Sequence, residues 1–291
     1  MPVDTLQSAD NTRLVLLGTK GGLRVGGEGR ANPSNLLLIN GAPYVVDCGY
    51  GVSRQLVRAG VPLNSLRYVF LTHHHSDHNL EYGPLIYNGW ATGLNRQVEV
   101  YAPPPLADIT EAFLRSMQYD IDIRIADEGR PGLHELICTH EIDRAGLVFQ
   151  NDDVRVSALR VMHPPVDDTY AFRFDTKDRS IVFSGDTAYF PALASFAEGA
   201  DVLVHEAMYL PGVDALVKRV PNAARLREHL LASHTLTEDV GRIAQAAGVG
   251  TLVLSHLVPG DDPGITDAMW AEGVSKHYSG RIIVGSDLME V

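Results

Sequence analysis

Four histidines and one carboxylate fall within seven residues at Thr72-His73-His74-His75-Ser76-Asp77-His78. Imidazole nitrogens and carboxylate oxygens are the donors that suit zinc and neighbouring transition ions. Spaced as His-x-His-x-Asp-His in a turn, they can converge on one point, whereas a histidine-rich surface turn would leave them in solvent. His74 alternates between candidate ligands and is expected to point away from that point. Three more residues of ligand type stand further along the chain: His163, Asp186 in Ser184-Gly185-Asp186-Thr187, and His256. Residues of these types, each set where an apolar run ends, point to a metal site.

Each candidate ligand follows an apolar run that reads as a strand. Tyr68-Val69-Phe70-Leu71 leads into the histidine turn, and Val154 to Val161 alternates toward His163. Ile181-Val182-Phe183 ends at Ser184-Gly185-Asp186, and Thr251 to Ser255 ends at His256. Loops at strand ends, held by a rigid sheet, are where α/β chains build sites. Further strands are predicted at Arg13 to Gly18, Gln97 to Tyr101, Tyr170 to Phe174, Val202 to Val204 and Arg281 to Val284. Asn35 to Ile39 and Tyr44 to Asp47 form a predicted hairpin across Asn40-Gly41-Ala42-Pro43. Helices are predicted at Val52 to Ala59 with Gly60 as its stop, at Leu106 to Tyr119, and at Thr237 to Ala247 behind an N-cap threonine. The glycines from Gly21 to Gly29 lack the GxGxxG spacing of a dinucleotide cradle. With no repeat and no low-complexity linker, residues 1–291 are expected to form one domain.

Composition narrows the partners. The chain carries a net charge of −12 and only four lysines, which counts against a broad electrostatic footprint for nucleic acid. No run approaches the roughly 20 apolar residues of a membrane span, so no membrane partner is expected. The first residues, Met1 to Thr5, do not open a secretory signal. Cys48 and Cys138 are the only cysteines; they lack CxxC spacing, read as small core residues, and fit a reducing cytoplasm.

The order of His-x-His-x-Asp-His, then His163, then Asp186 in Ser-Gly-Asp-Thr, then His256 after a strand resembles the metallo-β-lactamase superfamily. The likeness runs from Leu16-Leu17-Gly18-Thr19 to the C-terminal strand. It implies an α/β fold, an αββα sandwich of two mixed β-sheets flanked by helices, with a dinuclear zinc centre at one edge. In that scheme His73, His75 and His163 hold the first ion, Asp77, His78 and His256 hold the second, and Asp186 bridges them. The chain departs from subclass B1 β-lactamases, which place a cysteine where Asp186 stands, and lacks the His-x-Glu pattern of flavodiiron proteins. Within the superfamily it is most similar to the ribonuclease Z and arylsulfatase-like branch. The carriers are Leu17-Gly18-Thr19, Val46-Asp47-Cys48-Gly49, His205-Glu206-Ala207 and Ser233-His234-Thr235, with His256 lying 22 positions beyond His234. The resemblance implies that Glu206 and His234 pair beside the metals and assist departure of the leaving group. The plain alternative is a buried Glu–His bond that fixes a loop.

The expected function is a dinuclear zinc hydrolase using a metal-bridging hydroxide on a small phosphodiester, sulfate, or carboxylic or aryl ester. Asp77 would orient the hydroxide and take its proton, and His234, held by Glu206, would protonate the departing oxygen. Alternatives on the same site are a lactone or cyclic-amide hydrolase, a ribonuclease Z-like RNA endonuclease, and a metal-bound sensor without turnover. RNA is disfavoured by the acidic balance and by the lack of a long Gly/Pro-rich basic insertion. Gln118 to Arg130 is the expected pocket wall, and His140, His229 and His277 are expected in solvated or structural roles. The resemblance also implies a homodimer.

Overall fold

In the computed structural model, residues 12–25 and 29–291 are described. Met1 to Thr5 and the middle of the glycine-rich segment, residues 26–28, lie outside the described residues. In chain order the first strands are β1 (Arg13–Gly18), β2 (Ser34–Ile39), β3 (Ala42–Val46), β4 (Tyr68–Phe70), β5 (Val98–Ala102), β6 (Ile137–Glu141) and β7 (Gly146–Gln150). They are followed by β8 (Val154–Arg160), β9 (Tyr170–Thr176), β10 (Ser180–Phe183), β11 (Val202–Met208), β12 (Thr251–Val258), β13 (Arg281–Val284) and β14 (Met289–Glu290). Among the described residues these make two seven-stranded sheets, ordered β14-β1-β2-β3-β4-β5-β6 and β13-β12-β11-β10-β9-β8-β7. Each sheet is antiparallel on one side and parallel on the other; β3 to β6 run parallel in the first, and β10 to β13 in the second.

Parallel neighbours require crossovers, and helices supply most of them. The helices are α1 (Val52–Arg58), α2 (Ser76–Asn79), α3 (Tyr82–Ala91), α4 (Leu106–Glu128), α5 (Ala192–Phe196), α6 (Leu210–Lys218), α7 (Leu226–Ser233), α8 (Thr237–Ala247) and α9 (Asp267–Ser275). Period-two alternation then sorts the apolar residues into layers. Leu14 and Leu16 of β1 join the core between the sheets, with Phe70, Phe172, Phe174 and Phe183. Leu17 of the same strand faces the other way, into a layer with Val69, Trp90 and Leu114 under α3 and α4. On the far side, Leu203 and Leu252 pack with Ile243 and Trp270 beneath α8 and α9. Strands covered on both faces read as continuous apolar runs. The architecture is the αββα sandwich that the resemblance implied.

The hairpin turn is tight. Asn40 and Gly41 both take positive φ, 48° and 77°, which asparagine and glycine tolerate. The helix expected to end at Tyr119 instead continues to Glu128 and stops at Gly129, φ 69°. Its second half is carried on the solvent side by Arg124, which pairs with Asp120 and Glu128 at 2.8 Å each, one turn away in either direction. Gln118 to Glu128 therefore lies outside the first sheet and is not a pocket wall, correcting the sequence expectation.

The loop after β3 holds the histidine turn from below. Asp47, at φ 66°, donates its N–H to Phe70 O at 2.8 Å, and Cys48 N–H donates to His78 O at 2.6 Å. Glu81 N–H donates back to Cys48 O at 2.9 Å. Gly49 passes so close that a Cβ there would lie 2.2 Å from Asp77 O and 2.7 Å from Asn32 Cβ. Both neighbours are anchored, so Gly49→Ala should cost about 1–3 kcal/mol, the usual range for overpacking. A lowered urea midpoint at unchanged slope is the expected result; an unshifted midpoint would mean that the turn gives way freely.

Candidate metal centre

β4 ends at Phe70, a ring held by Tyr101 at 4.9 Å, Phe174 at 5.2 Å and Phe172 at 5.7 Å. The chain leaves that anchor extended, and His73 and His75 emerge on one side. Ser76–Asn79 then makes one helical turn, which brings Asp77 and His78 round to the same side. The second sheet approaches from the opposite direction, with His163 beyond β8, Asp186 beyond β10, and His256 within β12 at positive φ, 42°.

The seven side chains converge. His75 Nδ1 lies 3.0 Å from both His73 Nε2 and His163 Nε2. Asp77 Oδ2 lies 3.4 Å from His256 Nε2 and 3.7 Å from His78 Nε2. Asp186 Oδ2 sits between the two groups, 4.0 Å from His73, 3.9 Å from His163, 3.3 Å from His78 and 3.0 Å from His256. Within each trio, His73–His75–His163 and Asp77–His78–His256, the donor atoms lie within 4.8 Å of one another. All seven are buried except His75, which is half-buried at the cavity floor.

Outer partners set which nitrogen is offered. His78 Nδ1–H donates to Asp47 Oδ2 at 2.8 Å, while Asp47 Oδ1 accepts Thr72 N–H at 2.8 Å. His163 Nδ1–H donates to Ser233 O at 2.9 Å, and His73 Nδ1 meets Thr72 Oγ1 at 3.0 Å. Each of these rings is thereby left with Nε2 facing Asp186. Gly22 N–H donates to Asp77 Oδ2 at 2.8 Å.

The donor set fits divalent metal. His78 Nε2, both ring nitrogens of His256 and Asp186 Oδ1 are buried with no well-formed hydrogen bond. An unsatisfied buried polar atom costs about 1–3 kcal/mol, so His78 Nε2, His256 Nε2 and Asp186 Oδ1, gathered in one place, call for a ligand that satisfies them together. Charge points the same way. Burial disfavours a charged His256, yet Asp186 and Asp77 outweigh it and draw the imidazole up to about 10. The carboxylates thus pull positive charge onto whatever lies between them.

Beside this cluster, Glu206 on β11 and His234 after α7 form a buried pair. His234 Nδ1 is 3.0 and 3.1 Å from the two Glu206 oxygens, and Thr187 N–H donates to Glu206 Oε1 at 2.8 Å. Burial pulls the His234 imidazole toward neutrality, but the charge and hydrogen bond of Glu206 prevail and raise its pKa. The His234 ring lies 5.3 Å from that of His163 and 5.4 Å from that of His256.

A cavity of about 280 Å³ opens above the cluster, lined by His75, Asp77, Asp186, His234 and His256. Its apolar lining comes from Leu216 on α6, Val220 in the connection that follows, Leu226 and Leu230 on α7, and Leu23. This is the wall that the sequence expectation placed at Gln118 to Arg130. His229, expected in a structural role, also faces the cavity, its ring 6.0 Å from His75 and 6.1 Å from His163 and His234. A helical histidine one turn before Ser233-His234 was the available signal. His74 points away as expected, its Nε2 2.7 Å from Pro103 O. His140 lies on β6, stacked on Tyr101 at 4.5 Å, and His277 lies 4.0 Å from Glu238.

A family model described as Anti-Pycsar protein Apyc1 matches residues 12–236. A Ribonuclease Z of Mycobacterium bovis strain BCG is 34% identical over 281 residues, covering 96% of this chain and 97% of the relative. The chain belongs to this family, in the ribonuclease Z branch of the metallo-β-lactamase superfamily. Two solved structures share the fold. The metallo-β-lactamase fold protein YhfI of Bacillus subtilis aligns with a TM-score of 0.70 at 21% identity, over 97% of this chain and 100% of that one. Human tRNase Z, short form, aligns at 0.67 and 19% identity, over 96% and 98%. As a member of this branch the chain is a metal-dependent hydrolase of ester bonds, which sets aside the sensor reading. The near-equal spans also remove one argument against RNA. A relative named Ribonuclease Z that is covered end to end has no room for a long insertion that this chain lacks.

Asp47 does not line the cavity above the cluster, so it tests the cluster through its outer support. Asp47→Asn should weaken metal retention about 10–100-fold, the usual effect of losing such a partner. Chelator competition reads that loss directly, and unchanged retention would mean that His78 needs no orientation.

Proposed function

We propose that this chain is a dinuclear zinc phosphodiesterase of the ribonuclease Z kind, cutting the backbone of RNA. The observation that carries the reading is the Glu206–His234 pair set against the seven-residue cluster at one cavity floor. His73, His75 and His163 would hold one ion, Asp77, His78 and His256 the other, with Asp186 between them. When bound, two such ions lower the pKa of a water between them and neutralise charge on the phosphoryl oxygens.

The chain's own residues then divide the proton work. Asp77, fixed by the Gly22 N–H, orients the attacking water and accepts its proton. Glu206 holds the His234 ring by Nδ1 and favours its charged form. That leaves Nε2 to donate a proton to the departing ribose oxygen, a poor leaving group that cannot depart as a free alkoxide. Leu216, Val220 and Leu226 keep bulk water off the reacting face.

A second reading, hydrolysis of a small phosphodiester, is favoured by the size and apolar lining of the cavity and by the net charge of −12. The two separate in one comparison, a structured RNA with a 3′ extension against bis-p-nitrophenyl phosphate at equal enzyme and zinc. Higher kcat/KM on the RNA is expected. Turnover of the small diester alone would overturn the RNA reading and keep the metal chemistry. Asp77→Asn should lose about 10²–10⁴-fold on either substrate, the range of a general base.

His234→Ala should cost far more with alkyl leaving groups than with p-nitrophenyl ones, because p-nitrophenolate departs unprotonated. Glu206→Gln should follow the same trend more weakly. Equal losses across leaving groups would reduce the pair to an architectural role.

A further inference from the structure

Away from the cluster, a second set of donors gathers at the edge of the first sheet. β5 and β6 run parallel with Glu99 opposite Cys138 and Tyr101 opposite His140. Alternate residues share a face, so Glu99, Cys138 and His140 all project on the side of Tyr101. The His140 ring lies flat on Tyr101, centroids 4.5 Å apart and planes 11° apart, which fixes where its nitrogens point. Its Nε2 is 2.6 Å from Glu99 Oε2 and 3.5 Å from Cys138 Sγ. One ring nitrogen carries at most one proton, yet a carboxylate and a sulfur both face it. The three donor atoms lie within 4.8 Å of one another.

From this arrangement we infer a separate binding site for one divalent transition ion of the zinc type, held by Glu99, Cys138 and His140. The donor chemistry selects the ion, since sulfur with imidazole and carboxylate suits zinc or cobalt rather than magnesium or calcium. The geometry suits it too. At ordinary bond lengths a tetrahedral zinc spaces a nitrogen and a sulfur ligand about 3.5 Å apart, and two nitrogen or oxygen ligands about 3.3 Å apart. The His140–Cys138 spacing already has that value, so only the Glu99 carboxylate must move outward. That side chain is 29% exposed and His140 is 40% exposed, so the ion reaches the site from solvent and a water completes its fourth position. Coordination releases the Cys138 thiol proton to solvent. Arg96 and Arg67, which line the depression beside Glu99, oppose a cation, so this site fills after the seven-residue cluster. Its role is to tie the edge strand β6 to β5.

Cobalt titration separates the two sites, because the seven-residue cluster contains no cysteine and Cys48 is fully buried. As cobalt(II) is added to the full-length, metal-stripped protein, near-ultraviolet thiolate-to-cobalt absorption should appear after the first equivalents bind. It should be absent in Cys138→Ser and weakened at least tenfold in apparent affinity in Glu99→Gln. Phosphodiester hydrolysis by Cys138→Ser should equal that of the parent. No thiolate absorption in the parent at saturating cobalt would overturn the inference, as would absorption that persists in Cys138→Ser. Should Cys138→Ser fail to fold, the parent spectrum and Glu99→Gln still decide the question.

Discussion

Asp186 is a carboxylate buried among four imidazoles, with one oxygen within 4.0 Å of His73, His78, His163 and His256. Isolated charge is expensive to bury unless it is paired and hydrogen-bonded. Here the neighbours offer nitrogens that are themselves buried, and several lack any proper hydrogen bond. Much of the surrounding structure can be read as support for this arrangement. Asp47 and Thr72 fix the rings from one side, and the Ser233 carbonyl fixes His163 from the other. The aromatic contacts of Phe70 hold the strand after which four of the seven donor residues emerge.

The same support explains why the protein tolerates a strained approach at several points. His256 adopts positive φ at 42° inside β12, a conformation costly for a side chain that large. The register of β12 against β11 also slips there, between Glu206 and Ala207. Both irregularities lie where two functional residues, His256 and Glu206, leave neighbouring parallel strands. Regular strands would keep the alternating pleat. The irregularity lets adjacent strands supply residues to the cluster and to the Glu–His pair at one place.

The seven clustered side chains were legible in the sequence because each lies at or just past a run, continuous or alternating, that reads as a strand. The hairpin was legible from Asn40-Gly41. Most of what was not legible lay on helices. The solvent half of α4 is polar on most sides and is carried by Arg124 and its two acidic partners, so its apolar pattern fades after Tyr119 although the helix does not. The cavity wall comes from α6 and α7, short helices whose apolar residues face a cavity rather than a sheet. His229 was set aside because it follows no strand. β6 reads Ile-Cys-Thr-His-Glu, half-exposed along its length, without the alternation that marks a strand. Global charge says little about the cavity. A net charge of −12 describes the whole surface, whereas Lys20 and Arg24 line the cavity itself.

The donors are divided between the two sheets and between distant parts of the chain: His73 to His78 come from the first, and His163, Asp186 and His256 from the second. Neither sheet alone can assemble the centre. During synthesis, a ribosome-bound chain that has not yet exposed His256 lacks one of the seven side chains however well its first half has folded. Completion of the cluster is therefore a late event, coupled to docking of one sheet on the other.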